Sequence, residues 1–113
     1  MSRHKDDVSL QQMLDHIEEA VALTRHRRRS ELESDRIFFL AILKLVEIVG
    51  EAATRVSDPT RAAHSKIPWH EIISARNRLI HGYDAVDYNI LWEIVTADFP
   101  PLATQIRNLL PGS

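Results

Sequence analysis

The chain has no cysteine, only three glycines, five prolines that all fall in its second half, and 6% aromatic residues. Each scarcity excludes something. Without thiols there is no disulfide staple, no redox pair, no thiolate metal site and no cysteine nucleophile, which fits a reducing compartment. No run alternates β-branched and aromatic residues with polar ones, so strands are not expected. There is neither a glycine-rich loop to cradle phosphate nor a serine on a nucleophile elbow. No stretch reaches the ~18 apolar residues of a membrane span, and no apolar run follows the basic residues between Met1 and Asp7. A cytoplasmic protein is therefore expected. An excess of one charge is missing too: 14 Lys and Arg face 16 Asp and Glu, a formal net charge of −2. Whole-molecule attraction to nucleic acid is excluded, so any grip on phosphate has to come from local clusters.

What is present is 113 residues, 44% apolar and 27% charged, enough for one small domain over 1–113 with a modest core helped by self-association. Helical spacing dominates. From Asp7 to Thr24, the residues Leu10, Met13, Leu14, Ile17, Ala20, Val21 and Thr24 share one side of an amphipathic helix. Four Arg and one His at 25–29 follow, where cations oppose the negative end of the helix dipole. Ser30 to Asp35 offers N-caps for a long second helix, Arg36 to Arg55. Its wide apolar arc includes Ile37, Phe38, Phe39, Ile42, Leu45, Val46, Ile48 and Val49 and implies a central, buried element. After the Ser57–Thr60 turn, residues 61–66 suit a short helical turn or loop. Pro68 opens a third helix toward Ile80, stopped by Gly82. Asp87 caps a fourth over Tyr88 to Ala97, and Asp98 to Pro101 starts the last. The expectation is an all-α bundle of about five helices.

Chemistry concentrates between Ala75 and Tyr83. Arg76 lies close to Ile72 and Leu79 around the third helix, so its guanidinium emerges beside the apolar stripe, where an unpaired charge is costly. Either Glu47 or Glu51 of the second helix satisfies it, or it lines a cleft for an anion such as phosphate, which Arg grips through two parallel hydrogen bonds. His81 is five positions on, about 140° around an ideal helix. It meets Arg76 only if Gly82 releases it, or if a second subunit brings another copy of the motif across a two-fold axis. In such a groove the His suits proton transfer and the Arg suits stabilising developing charge. Otherwise His81 is a helix-end cation, and Tyr83 a half-buried aromatic.

Two further charged features stay open. Arg36, Leu40, Lys44, Glu47 and Glu51 form a stripe that is either a solvated face or the wall of a cleft or dimer seam. Asn77, Glu47, Lys44 and Arg36 are thus candidates to line or support the Arg76 cleft. The cations at 25–29 are either a solvated connector or a landing site for RNA phosphates. His64, His70 and His81 match no zinc-ligand spacing, so neither a metal nor a cofactor is expected.

The segments Ile67 to Ile72, Ala75 to Tyr83 and Leu91 to Val95, with Asp87 and with Glu47 to Ala52, resemble the HepT-like family of bacterial HEPN-domain proteins. The Arg-x4-His-x-Tyr signature stands as Arg76, His81 and Tyr83. The resemblance implies a HEPN-type helical bundle that forms a homodimer, or a higher oligomer, with the Arg and His motifs facing each other. It also implies the toxin of a type VII-like toxin–antitoxin module, an endoribonuclease that cleaves RNA without metal through attack of the ribose 2′-OH. His81 and Arg76 are then the catalytic pair. Tyr83 is the acceptor for AMP transferred by a minimal, MntA-like nucleotidyltransferase antitoxin. The alternative it leaves is a non-catalytic HEPN partner or substrate of that nucleotidyltransferase.

Overall fold

The computed structural model describes residues 3–80 and 85–111. In chain order these form α1 (Arg3–Thr24), α2 (Glu31–Ser34), α3 (Arg36–Thr54), α4 (Asp58–Ala63), α5 (Trp69–Ile73), α6 (Ala75–Leu79), α7 (Tyr88–Glu93), a π turn (Ile94–Asp98) and α8 (Phe99–Arg107). No strand occurs among the described residues; Ile80 and Val86 make one isolated antiparallel bridge. The chain is all-α, as its periodicity requires.

The α1 stripe buries Leu10, Met13, Leu14, Ile17 and Ala20, chiefly against α3, with α8 on the flank. Two polar anchors at opposite ends set α1 antiparallel to α3. At one end the buried Asp6 carboxylate accepts from the Ser57 backbone N–H at 2.9 Å, from the Ser57 hydroxyl at 2.6 Å, and from the Thr60 hydroxyl. Burial pushes the Asp6 carboxyl up, but the hydrogen bonds from Ser57 and Thr60 outweigh it and hold it below the usual carboxylate range. At the other end Arg27 bonds Glu31 and, at 2.9 Å, Asp35, while its guanidinium lies 3.9 Å over the centre of the Phe38 ring. Asp35 also caps α3, accepting from the Phe38 N–H at 3.1 Å. That backbone bond, followed by Arg27, holds its carboxyl low.

Three sequence expectations are corrected. The helix expected from Pro68 to Ile80 is broken at Ser74, whose hydroxyl bonds back to the His70 carbonyl at 2.7 Å alongside its own N–H at 2.9 Å, a back-bond of the kind that bends helices. It also ends earlier than expected, because Ile80 is already extended (φ −93, ψ 119) and the Asp87 N–H bonds the Leu79 carbonyl at 2.7 Å. The fourth and fifth helices are not separate: α7 continues through the π turn into α8. The wider i→i+5 turn precedes Pro100 and Pro101, which have no N–H to donate and whose rings crowd a regular α turn. Finally, Ile37, placed in the core arc by its spacing, is 81% exposed.

Candidate functional site

The α3–α5–α6 corner builds the site. Gly50 lets α5 approach α3 closely: a Cβ there would stand 3.2 Å from the Ile72 carbonyl oxygen. Ile72 and Trp69 bury themselves in the core, and the break at Ser74 redirects the chain into α6. On α6, Ala75 and Leu79 are buried while Arg76, Asn77 and Arg78 are exposed. Arg76 therefore stands at the rim of a groove lined by Glu47, Gly50, Glu51, Thr54 and Ile73.

Of the two carboxylates expected to answer Arg76, Glu47 does so, with its Oε2 3.8 Å from the Arg76 Nε. The contact is loose. The Arg76 side chain is 69% exposed and that of Glu47 25%, so the pair contributes no more than about 1 kcal/mol. This is not a buried structural ion pair. The Nε is the guanidinium atom that approaches Glu47, and the side chain as a whole stays mostly exposed. A dispensable role for Arg76 as one half of a buried pair is thereby disfavoured.

The α3 stripe is solvent-facing over Arg36, Leu40, Lys44 and Glu51, with Glu47 half-buried. Arg36 and Lys44 have no acidic partner among the described residues. The i,i+4 ion pairs of the solvated-face reading are therefore not formed along it. Asn77 is exposed beside Arg76. Of the expected cleft residues the structure thus brings Glu47 and Arg76 together, while Arg36 and Lys44 lie along the exposed edge of α3 and Asn77 is exposed on α6. On another side of α6, Arg78 reaches Asp98 at 3.8 Å, and burial together with Glu93 and Glu71 raises the Asp98 carboxyl despite that Arg. His81 and Tyr83 lie outside the described residues. The described chain on either side of them is fixed by the Ile80–Val86 bridge and by the Leu79–Asp87 hydrogen bond. Beyond these, Tyr88 packs edge-on against Phe39, with ring centres 5.3 Å apart. Among the described residues no group of three His, Asp or Glu side chains is placed to hold a metal ion, and no helix is long and apolar enough to cross a membrane.

Sequence reasoning missed the Asp6–Ser57–Thr60 node. Its partners are more than fifty positions apart, and an Asp in a first helical turn reads as a dipole residue.

Comparison with known proteins places this all-α chain among the ribonuclease families. It belongs to the HepT-like family: that family's profile, described as Ribonuclease HepT-like, matches residues 13–109. A Thermococcus cleftensis protein named "Probable ribonuclease HepT" is 32% identical over 106 residues, 94% of each chain. A Caldanaerobacter subterraneus protein named "Putative RNase TTE0752" is 38% identical over 76 residues, 67% of this chain and 68% of that one. No solved structure matches the chain.

Proposed function

We propose that this protein is the toxin of a type VII-like toxin–antitoxin module, a cytoplasmic, metal-independent endoribonuclease of the Arg-x4-His type that acts as a homodimer. The observation that carries the reading is Arg76: an exposed guanidinium, held only loosely by Glu47, in a chain of the HepT-like ribonuclease family. A site that needed Arg76 only for folding has no use for a 69% exposed cation.

In the proposed reaction the ribose 2′-oxygen attacks the adjacent phosphorus as its proton passes to a base. The P–O5′ bond breaks, and the 5′-oxygen takes up a proton as it leaves. The products are a 2′,3′-cyclic phosphate and a 5′-hydroxyl, with no metal or redox partner consumed. His81 transfers protons and Arg76 stabilises the charge that builds on the non-bridging oxygens. Glu47 acts through Arg76, fixing the direction of its planar fork, and is a positioning residue. Arg36, Lys44 and Asn77 line the approach. The homodimer reading is supported by large apolar residues that this small fold leaves uncovered: Ile37 and Leu40 on α3 and Ile80, besides Val8 and Leu23 on α1. AMP transferred by an MntA-like nucleotidyltransferase onto Tyr83, seven positions beyond Arg76, adds bulk and negative charge next to the motif and repels RNA.

The test is digestion of RNA by the purified protein in EDTA. Wild type is expected to yield cyclic-phosphate ends, and folded Arg76→Ala and His81→Ala variants none. AMP transfer to Tyr83 with no RNA product from the unmodified protein would replace this reading with that of a non-catalytic nucleotidyltransferase partner.

A further inference from the structure

The connector between α1 and α3 holds Arg25, His26, Arg27, Arg28 and Arg29, and the structure divides this run in two. Arg27 and Arg29 are occupied. Arg27 is bound to Glu31 and Asp35 and stacked on Phe38, and Arg29 meets Glu33 at 2.9 Å. These contacts fasten α2 against the start of α3. Arg25, His26 and Arg28 are exposed, with no carboxylate partner among the described residues. The turn that presents them is tight: His26 takes a left-handed backbone conformation (φ 66), and the Arg27 N–H bonds the Thr24 carbonyl at 3.0 Å. The Arg27–Asp35 bond brings the connector to the N-terminal end of α3, where the next residue, Arg36, is also exposed and unpaired among the described residues.

Of the other guanidiniums of the fold some are paired, closely or loosely, while Arg55, after the far end of α3, is exposed with no carboxylate partner among the described residues. Arg61 pairs with Asp58, Arg78 with Asp98 and Arg107 with Glu18. Among the described residues, Arg25, His26, Arg28 and Arg36 are thus a cluster of basic side chains without carboxylate partners where α1 hands over to α3, in a protein whose net charge is −2. From Arg36 the exposed edge of α3 runs through Lys44 to Glu47, the tether of Arg76. Those eleven residues rise about 16 Å, a span of a few nucleotides.

We infer that Arg25, His26, Arg28 and Arg36 form a phosphate-binding platform for single-stranded RNA, which leads the strand along the edge of α3 toward Arg76. The inference rests on the ribonuclease reading and adds to it where the substrate is held away from the scissile bond. Counterion release makes such a platform sensitive to salt, and it grips backbone phosphate without regard to base. Arg27 and Arg29 are structural, which gives the run an internal contrast.

The probe is a fluorescent single-stranded RNA of about 16 nucleotides, the upper end of a single-strand site, with 2′-O-methyl riboses so that it binds without being cut. Full-length wild type is compared with Arg25→Ala/Arg28→Ala, and with Arg55→Ala/Lys66→Ala, which removes the same charge from exposed positions after the other end of α3. Losing two phosphate contacts on a single strand is expected to weaken binding about 10- to 30-fold at ~0.1 M salt and to reduce the slope of log K against log salt by about 1.4. The Arg55/Lys66 variant is expected to bind as wild type does. Unchanged affinity in Arg25→Ala/Arg28→Ala overturns the platform, as does equal weakening in both double variants. So does a loss confined to binding of the nucleotidyltransferase, which would make the patch a protein contact. Cleavage of ordinary RNA by wild type in EDTA is read in parallel. If wild type cuts and the Arg25/Arg28 variant binds normally, the platform alone fails; if wild type neither cuts nor binds, the ribonuclease reading fails first.

Discussion

The Nε of Arg76, on a five-residue helix, stands 3.8 Å from Oε2 of Glu47 in the middle of the longest helix segment that follows α1. The relationship joins the two halves of the site. Glu47 is fixed by the core packing of α3, and Arg76 by the buried Ala75 and Leu79 on either side of it. The carboxylate approaches the guanidinium without burying it in a dry interior.

Replacing Glu47 by Gln is accordingly expected to lower kcat for RNA cleavage several-fold with little change in KM, and to alter stability by less than about 1 kcal/mol. Arg76→Ala is expected to lose about 100-fold or more. Arg76→Lys should not restore activity, since an ammonium lacks the planar fork. Single-turnover kinetics and thermal melts check both. Equal losses for Glu47→Gln and Arg76→Ala would make Glu47 more than a positioning residue.

Asp6 ties α1 to the α3–α4 turn through three hydrogen bonds, so Asp6→Ala is expected to cost about 2–4 kcal/mol in urea unfolding. Its folded carboxyl lies below the ordinary value, so its stabilisation is complete above the unfolded pKa near 3.8 and disappears as pH falls through the folded value. Melts from neutral pH down to strong acid should show that loss in wild type. Asp6→Asn should show a shallower one, from a lower starting stability.

Gly50 faces the Ile72 carbonyl oxygen with room for a hydrogen and little else. Gly50→Val is expected to push α5 outward, costing about 1–3 kcal/mol, and to reduce cleavage further by displacing Arg76 from Glu47. Urea unfolding and an activity assay on the remaining folded fraction measure the two effects separately.

Ile37 is 81% exposed on α3 and touches the core little, so Ile37→Asp is expected to leave the melting temperature of the protomer within a few degrees of wild type. If this face seats the second subunit, the same variant sediments as a monomer at concentrations where wild type is a dimer. An unaltered sedimentation coefficient would move the dimer seam elsewhere.

Much of the bundle was legible because helical spacing is a local signal. The α1 stripe, the central position of α3 and the Asp87 cap follow from neighbours three or four positions apart, and the Asp87 side chain does accept from the Ile90 N–H at 3.0 Å. Ile37 was misread because helix periodicity gives an arc, not its edges; how far burial extends is set by what packs on α3. The break at Ser74 was missed because a single Ser is tolerated in most helices; in the fold its hydroxyl bonds back to the His70 carbonyl, and α5 is also held at its start by the Trp69 Nε1–H bond to the His64 carbonyl at 3.1 Å. For the site, the sequence pointed to Arg76 and offered Glu47 and Glu51 as equals. It had no way to choose, because both lie on the same edge of α3.

The order of residues thus determined the helical class, the single core, and which short segment sets an Arg beside the apolar stripe, because each is written in composition or in spacing within one element. Tertiary structure alone decided that Glu47 rather than Glu51 meets that Arg, that Arg27 and Arg29 are occupied while Arg25 and Arg28 have no carboxylate partner among the described residues, and that Asp6 is buried. Those outcomes depend on distances between elements far apart in the chain, which are fixed only when α1, α3 and α5–α6 pack against one another.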